Sequence, residues 1–352
     1  MVEKIRDLYL FSKASKKQWM AFLEEQGVVD FDQAEVQPID QTLGLYDEQD
    51  QLVGTGSIAG QVIKYIAVSH AGEEHPGSRF NQIVSALESD LAEKGCFHLF
   101  VFTKATYQEA FEHIGFRTLA KTAVGLILEK GTPNIEQYRA SLPKKPVDAG
   151  QTAAIVMNAN PFTKGHRYLI EQAAQENDWV MVFVVNQDVS LFKTTERMAM
   201  VQKGSEDIAN VVVANGGDYM VSYLLFPAYF IDDRDQAIRF QTALDAELFK
   251  QQIAEPLGLS ARYIGTEPTS HTTALYNQQL KKILPPQVAV KEVPRLSQDG
   301  QAISARTVRQ ALKDQQLSSL ADLLPETTLD FIKTNQEAIM ERIAKGQQIH
   351  GN

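Results

Sequence analysis

The sequence predicts an α/β protein of two domains, the second a doubly wound parallel sheet. Three observations carry this. The chain has 352 residues, and at about one domain per ~150 residues that length divides into two cores. The stretch from Gly131 to Gln151, GTPNIEQYRASLPKKPVDAGQ, holds three prolines and two adjacent lysines without periodic apolar pattern, the composition of a linker. Beyond it, short continuous apolar runs alternate with helical patterns, as buried parallel strands and their crossover helices do. The expected division is a first domain at 1–131, a linker at 132–150 and a second domain at 151–352.

In the first part, Leu43–Tyr46, Gln51–Ala59 and Val62–Val68 are β-rich runs, the first two joined by the turn Asp47–Asp50. Within Phe80–Lys94, Ile83, Val84, Leu87 and Leu91 recur at helical spacing, and Gly95 ends the helix. Phe97–Thr103 reads as an apolar strand, and a helix through Ala110 and Phe111 follows. This order, closed by Phe111-Glu112-His113-Ile114-Gly115-Phe116, resembles the GNAT acetyltransferase fold over residues 40–130. The family's pyrophosphate-binding loop aligns with Glu74-His75-Pro76-Gly77-Ser78-Arg79, where only Gly77 fits. The first position is acidic instead of basic, and Pro76 lacks an N–H donor. The resemblance implies a GNAT-like α+β domain that serves as a scaffold or docking module rather than as an active acetyltransferase.

In the second part, Ala153–Met157 is a buried-type strand, followed by a turn and a helix from Thr163 with Leu169, Ile170, Ala173 and Ala174 on one face. Trp179–Val185, Val211–Val213 and Arg262–Ile264 are the next strands, with a helix at Arg197–Lys203. After Ser304 the pattern is helical to near the end.

The segment Asn158-Ala159-Asn160-Pro161-Phe162-Thr163-Lys164-Gly165-His166 lies at a strand-to-helix junction. Free N–H groups and the positive end of a helix dipole favour phosphate there. Gly165 lets a ligand approach, and His166 lies one turn after Thr163. The spacing is neither that of a P-loop nor that of a dinucleotide fingerprint. It resembles the (H/T)-x-G-H signature of the nucleotidylyltransferase superfamily, which implies that His166 stabilises an α-phosphate during adenylyl transfer. A second stretch, Ile303-Ser304-Ala305-Arg306-Thr307-Val308-Arg309, resembles that superfamily's I-S-S-T-x-x-R. Ser304 is expected to cap a helix, and Arg309 to make charge-assisted contacts to a triphosphate. Ala305 and Arg306 depart from the pattern, so Thr307 or Arg306 is expected to substitute. Two weaker matches are Gly265-Thr266-Glu267-Pro268, like the superfamily's Gly-x-acidic turn, and Phe192–Arg197, like its F-[ST]-x-x-E-R. Glu267 would then serve a magnesium ion or a ribose, or cap a turn. Arg197 would serve the site or brace the sheet.

Longer stretches, MNANPFTKGHRYLIEQAA, NGGDYMVSYLLFPAYF, RYIGTEP and ISARTVRQAL, resemble the citrate lyase ligases within that superfamily. The resemblance implies ATP-dependent acetylation of the prosthetic-group thiol on the acyl carrier protein of citrate lyase, through acetyl-adenylate, with Mg²⁺. His166, Arg309 and Lys164 would be catalytic. Asn158, Asn160, Pro161, Phe162, Thr163, Gly165, Gly265, Glu267, Ser304, Arg306 and Thr307 would complete the ATP site. Two alternatives stay open: adenylyl transfer to a phosphorylated cofactor precursor, and a non-catalytic acyl-CoA- or carrier-binding protein.

The charge balance, 34 basic against 44 acidic residues, is −10, and it excludes nucleic acid or an anionic membrane as a partner in bulk. Cationic help for a triphosphate must be local, at Lys164, Arg306 and Arg309, and Lys144-Lys145 and Lys281-Lys282 are candidate patches toward an acidic carrier. The single cysteine, Cys96, excludes internal disulfides and multi-thiolate zinc, fits a reducing cytoplasmic home, and reads as a core residue. The six histidines other than His166 do not share metal-ligand spacing, so no resident metal is expected. Tyr219, Tyr223, Phe226, Tyr229 and Phe230 read as core packing, or as the wall of an acyl channel. No apolar run approaches the ~20 residues that span a bilayer.

Overall fold

A computed structural model of the protein describes residues 3–28, 31, 36, 38–72, 75, 77–186, 188, 191–220, 227–231, 233–267, 270–298, 300–316 and 320–347. The chain forms two compact units, Met1–Tyr138 with Tyr223–Leu248, and Arg139–Ser222 with Phe249–Asn352.

In the first unit the strands are β1 (Lys4–Asp7), β2 (Gln41–Tyr46), β3 (Leu52–Ala59), β4 (Val62–Val68), β5 (His98–Lys104), β6 (Arg117–Lys121) and β7 (Gly125–Gly131). They lie in the order β1-β2-β3-β4-β5-β7-β6. Neighbours are antiparallel except β4 and β5, which run parallel and pair only at Val62–Phe100 and Ile63–Val101. The helices α1 (Lys13–Glu25), α2 (Ser78–Glu93) and α3 (Gln108–His113) complete an α+β unit of the expected class. The stripe Ile83, Val84, Leu87 and Leu91 is buried among Leu43, Leu45, Val101 and Leu126 of the sheet, and Cys96 is half-buried at the margin of this core. Of the loop aligned with the GNAT pyrophosphate site, Glu74 and Pro76 lie outside the described residues. Gly77 takes φ +81° at the start of α2. Arg79 turns inward, donating to the Ser69 and Ala71 carbonyls and pairing with Glu3.

Residues 223–248, expected in the second domain, group instead with the first unit. The helix Arg234–Leu248 packs on β6 and β7 of the first unit. It buries Ile238, Phe240, Leu244 and Leu248, an apolar face that a sheet must cover. A Cβ on Gly125 would stand 3.0 Å from the Phe240 ring and 2.6 Å from the Thr103 carbonyl oxygen, so glycine is the residue that fits there. Tyr229 and Phe230 join the cluster of Trp19, Phe31 and Tyr65, and the Tyr229 hydroxyl donates to the Phe102 carbonyl (3.1 Å). Tyr219 is buried in the second unit, whereas Tyr223 and Phe226 lie outside the described residues. The described aromatics are thus divided between the two units. The expected linker also holds a short helix, Ile135–Ser141, whose first N–H is taken by the buried Glu129 carboxylate (3.2 Å) beside His98 (3.1 Å).

In the second unit β8 (Thr152–Met157), β9 (Trp179–Val184), β10 (Val211–Asn215), β11 (Ala261–Gly265) and β12 (Ala289–Val293) are all parallel, in the order β10-β9-β8-β11-β12. The chain starts at the centre, winds to one edge, and resumes on the other side. The gap between β8 and β11 is therefore the topological switch point, where loops leave the carboxyl ends of adjacent strands in opposite directions and open a crevice. No described helix is long and apolar enough to cross a membrane.

Candidate active site

The loops after β8 and β11 build the crevice. After Met157 the chain turns through residues 158–163 into α4 (Lys164–Glu176), with Ala159 in the left-handed region at φ +49°. A non-glycine residue stays there only when its surroundings over-determine it. Two buried arginines supply that constraint. Arg197, from α5 (Thr194–Ser205), donates to the Asn158 carbonyl and Oδ1 (2.8 Å each) and to the Val185 (2.8 Å) and Phe192 (3.1 Å) carbonyls. It also donates to the Thr194 hydroxyl (2.7 Å). Arg309, from α7 (Ala305–Lys313, numbered after α6, His271–Ile283), donates to the Asn160 carbonyl. Burial pushes both guanidinium pKa values down to about 10, with the Arg306 charge adding to the effect at Arg309. Both remain cations at neutral pH.

Asn160 and Phe162 therefore act from beneath the surface. The Asn160 Oδ1 accepts the Phe192 N–H (3.2 Å), and the buried Phe162 ring rests on Gly204 of α5. A Cβ at Gly204 would stand 2.5 Å from that ring. Gly204→Ala should therefore destabilise the protein by about 1–3 kcal/mol through overpacking, read as a lower denaturation midpoint with unchanged slope.

Thr163 caps α4. Its Oγ1 accepts the His166 N–H (3.4 Å), and its own N–H donates to His166 Nδ1 (3.0 Å). This is the reciprocal pairing of a capping box, with histidine where Glu or Gln usually stands. A backbone N–H can only donate, so Nδ1 is unprotonated and a neutral ring carries its hydrogen on Nε2. Burial, and then the charges of Arg295 and Arg309, push the imidazole pKa down to about 4. The ring also stacks near Phe162 (centroids 6.0 Å apart, planes at 16°). His166 is thus a fixed, neutral hydrogen-bond donor at a helix N-terminus.

The second helix N-terminus adjoins the first. Ser304 Oγ accepts the Thr307 N–H (3.1 Å), and the Ile303 carbonyl oxygen lies 3.5 Å from where a Cβ on Gly165 would be. Arg306 is exposed on the first turn of α7. Arg295 lies past the end of β12, a residue that no sequence motif singled out. Its stem passes Gly265 (Cγ 3.8 Å from a Cβ there), its Nε donates to the Thr266 carbonyl (2.8 Å), and its Nη2 pairs with Glu267. Glu267 also accepts the Ser270 N–H (3.0 Å), so this carboxylate is engaged with protein rather than open to a ribose or an ion. Lys164 is directed elsewhere: its amine donates to the Ala321 carbonyl (2.8 Å). Lys281, one of the expected docking lysines, is paired with Glu292 (2.8 Å). The site thus gathers Gly165, His166, Gly265, Arg295, Ser304 and Arg309, with Asn158, Asn160, Phe162 and Arg197 beneath them.

A family profile described as the citrate lyase ligase C-terminal domain matches residues 152–332. The chain is 36% identical over 307 residues to an Escherichia coli (strain K12) protein named [citrate [pro-3S]-lyase] ligase, covering 85% of this chain and 86% of that one. It is 29% identical over 149 residues to the phosphopantetheine adenylyltransferase of Corynebacterium diphtheriae, covering 39% of this chain and 92% of that one. An acetyltransferase of the GNAT family from Staphylococcus aureus MU50 is similar over 37% of this chain and 99% of its own, with 13% identity and a TM-score of 0.31.

Proposed function

Because the chain belongs to the citrate lyase ligase family and is a ligase, we propose that it uses ATP to acetylate the prosthetic-group thiol on the acyl carrier protein of citrate lyase. The observation that carries this reading is His166, locked neutral with its Nε2–H free of the cap and set between two arginines where two helix N-termini meet. That is a preorganised receptor for charge growing on a phosphoryl group.

ATP enters as a substrate. The acetate carboxylate attacks the α-phosphorus, the bond to the bridging oxygen breaks, and pyrophosphate leaves. His166 Nε2–H and Arg309 meet the charge that develops on the α-phosphoryl oxygens. Attack by the carrier thiol on the acetyl carbon of the mixed anhydride then releases AMP and leaves the thioester. The relative named as an adenylyltransferase supports adenylyl transfer as the shared first half. Magnesium would enter on the triphosphate that carries it. The reaction is assigned to the cytoplasm, where ATP and a reduced thiol coexist.

Acetate-dependent exchange of labelled pyrophosphate into ATP tests the reading. Exchange that needs acetate is the expected result, and ATP turnover indifferent to acetate would overturn it. The pH profile adds a second expectation. The imidazole pKa is depressed to about 4, so kcat with both substrates saturating should run level through pH 6.5 and fall only toward about pH 4. An inflection near 6.5 would contradict the neutral-donor role. The sign for stability follows from linkage. An unfolded histidine titrates near ~6.5, so unfolding takes up a proton between that pH and about 4, and stability declines as pH falls through the window.

A further inference from the structure

We propose that Arg295 is a second anion-binding residue of this site, taking an anionic substrate oxygen on the free edge of its guanidinium, and that Glu267 positions it. The inference rests on the functional reading above and adds a residue to it.

The geometry is that of a clamped fork. Nε is committed to the Thr266 carbonyl and Nη2 to Glu267, while the Arg295 N–H donates to Thr266 Oγ1 (3.1 Å). Two fixed nitrogens on a planar guanidinium orient the third, and Nη1 makes no hydrogen bond among the described residues. The pair is asymmetric in depth. The Glu267 side chain is 5% exposed and that of Arg295 is 32% exposed, so the anion lies below and the cation faces out. The neighbouring backbone ties Arg295 to the phosphate-type turn, since the Leu296 carbonyl accepts the Ile303 N–H (3.0 Å) and the Ile303 carbonyl abuts Gly165. The charges of Arg295 and Arg309 both act on an uncharged imidazole, Arg306 adds its charge beside Arg309, and Glu267 is paired with Arg295. In a chain of net charge −10, such a local surplus of positive charge is what an anionic ligand would offset. The oxygen could come from a triphosphate or from the acid substrate's carboxylate.

The test uses the full-length protein with Arg295→Gln, Arg295→Lys and Glu267→Gln. Equilibrium binding of ATP alone is measured beside KM for ATP and for acetate in pyrophosphate exchange. Losing one charge-assisted bond should raise one of these constants about tenfold or more. A rise for ATP identifies the triphosphate, and a rise for acetate identifies the carboxylate. Arg295→Lys should recover part of the loss, and Glu267→Gln should reproduce it more weakly. Removing a cation near His166 should also move the acid limb of the exchange profile to higher pH, which a merely structural residue would not do. Constants within twofold of wild type in Arg295→Gln overturn the proposal, even if kcat falls. If Arg295→Gln does not fold, Arg295→Lys decides alone: an unchanged ATP and acetate KM overturns the proposal. Should the wild type show no acetate-dependent exchange, the functional reading fails, and ATP binding by the variants still decides Arg295.

Discussion

Replacing His166 with alanine is expected to lower acetate-dependent pyrophosphate exchange by about 10²–10³-fold, the usual effect of removing one preorganised donor from a developing anion. The alanine variant also loses half of the capping box, worth about 1 kcal/mol, so its rate alone would mix two effects. His166→Glu separates them. Glutamate is the ordinary residue at the third position of a capping box, so the Thr163 N–H keeps a partner. Its charge also suits a helix N-terminus. The same side chain offers no donor and repels a phosphate. His166→Glu should therefore melt near the wild-type temperature while its exchange falls at least as far as that of His166→Ala. Near-wild-type exchange in His166→Glu would mean that His166 serves only the helix.

The second large effect is expected at Arg197. Its guanidinium is fully buried and donates to the Asn158, Val185 and Phe192 carbonyls, Asn158 Oδ1 and the Thr194 hydroxyl, holding the turn at Asn158 against β9 and α5. Arg197→Met keeps much of the volume but leaves three carbonyls, Asn158, Val185 and Phe192, without this donor. Buried acceptors stripped of a charged partner cost about 3–5 kcal/mol. At roughly 2–4 °C per kcal/mol for a unit of this size, the melting temperature should drop by about 10 °C. Exchange should fall with it even below the melt, because Ala159 would lose the frame that keeps it left-handed. A melting temperature within about 2 °C of wild type would show that the turn is held by other means.

These two residues also mark what sequence can and cannot reveal. β8 and β9 were readable because central parallel strands are covered on both faces and must be apolar throughout. β1 and β12 were not, since edge strands expose much of their length; Lys4–Asp7 is exposed at every residue. The helix Arg234–Leu248 has no clear apolar stripe in the sequence, because its apolar residues are interleaved with polar ones, Gln241, Thr242 and Asp245, that are buried as well. At the candidate site, the caps Thr163 and Ser304 were legible because capping demands particular residues at fixed local spacing. Arg295 was not, because its place is set by the Gly265–Glu267 turn, which the sequence separates from it and only the pairing of β11 with β12 brings near. Lys164 shows the converse: a motif position can be right while the side chain finds a nearer partner, here the Ala321 carbonyl.

The assignment of 223–248 to the first unit bears on how the protein is made. Synthesis delivers β7 at Gly131, but the helix that covers β6 and β7 does not exist until Leu248, after β8, β9 and β10 have been made. At about 5–20 residues per second, the nascent chain carries that bare face for several seconds or more. A fragment cut at the linker would carry the same bare face permanently, so an excised N-terminal domain has to bring residues 223–248 along, rejoined to it by a new connection.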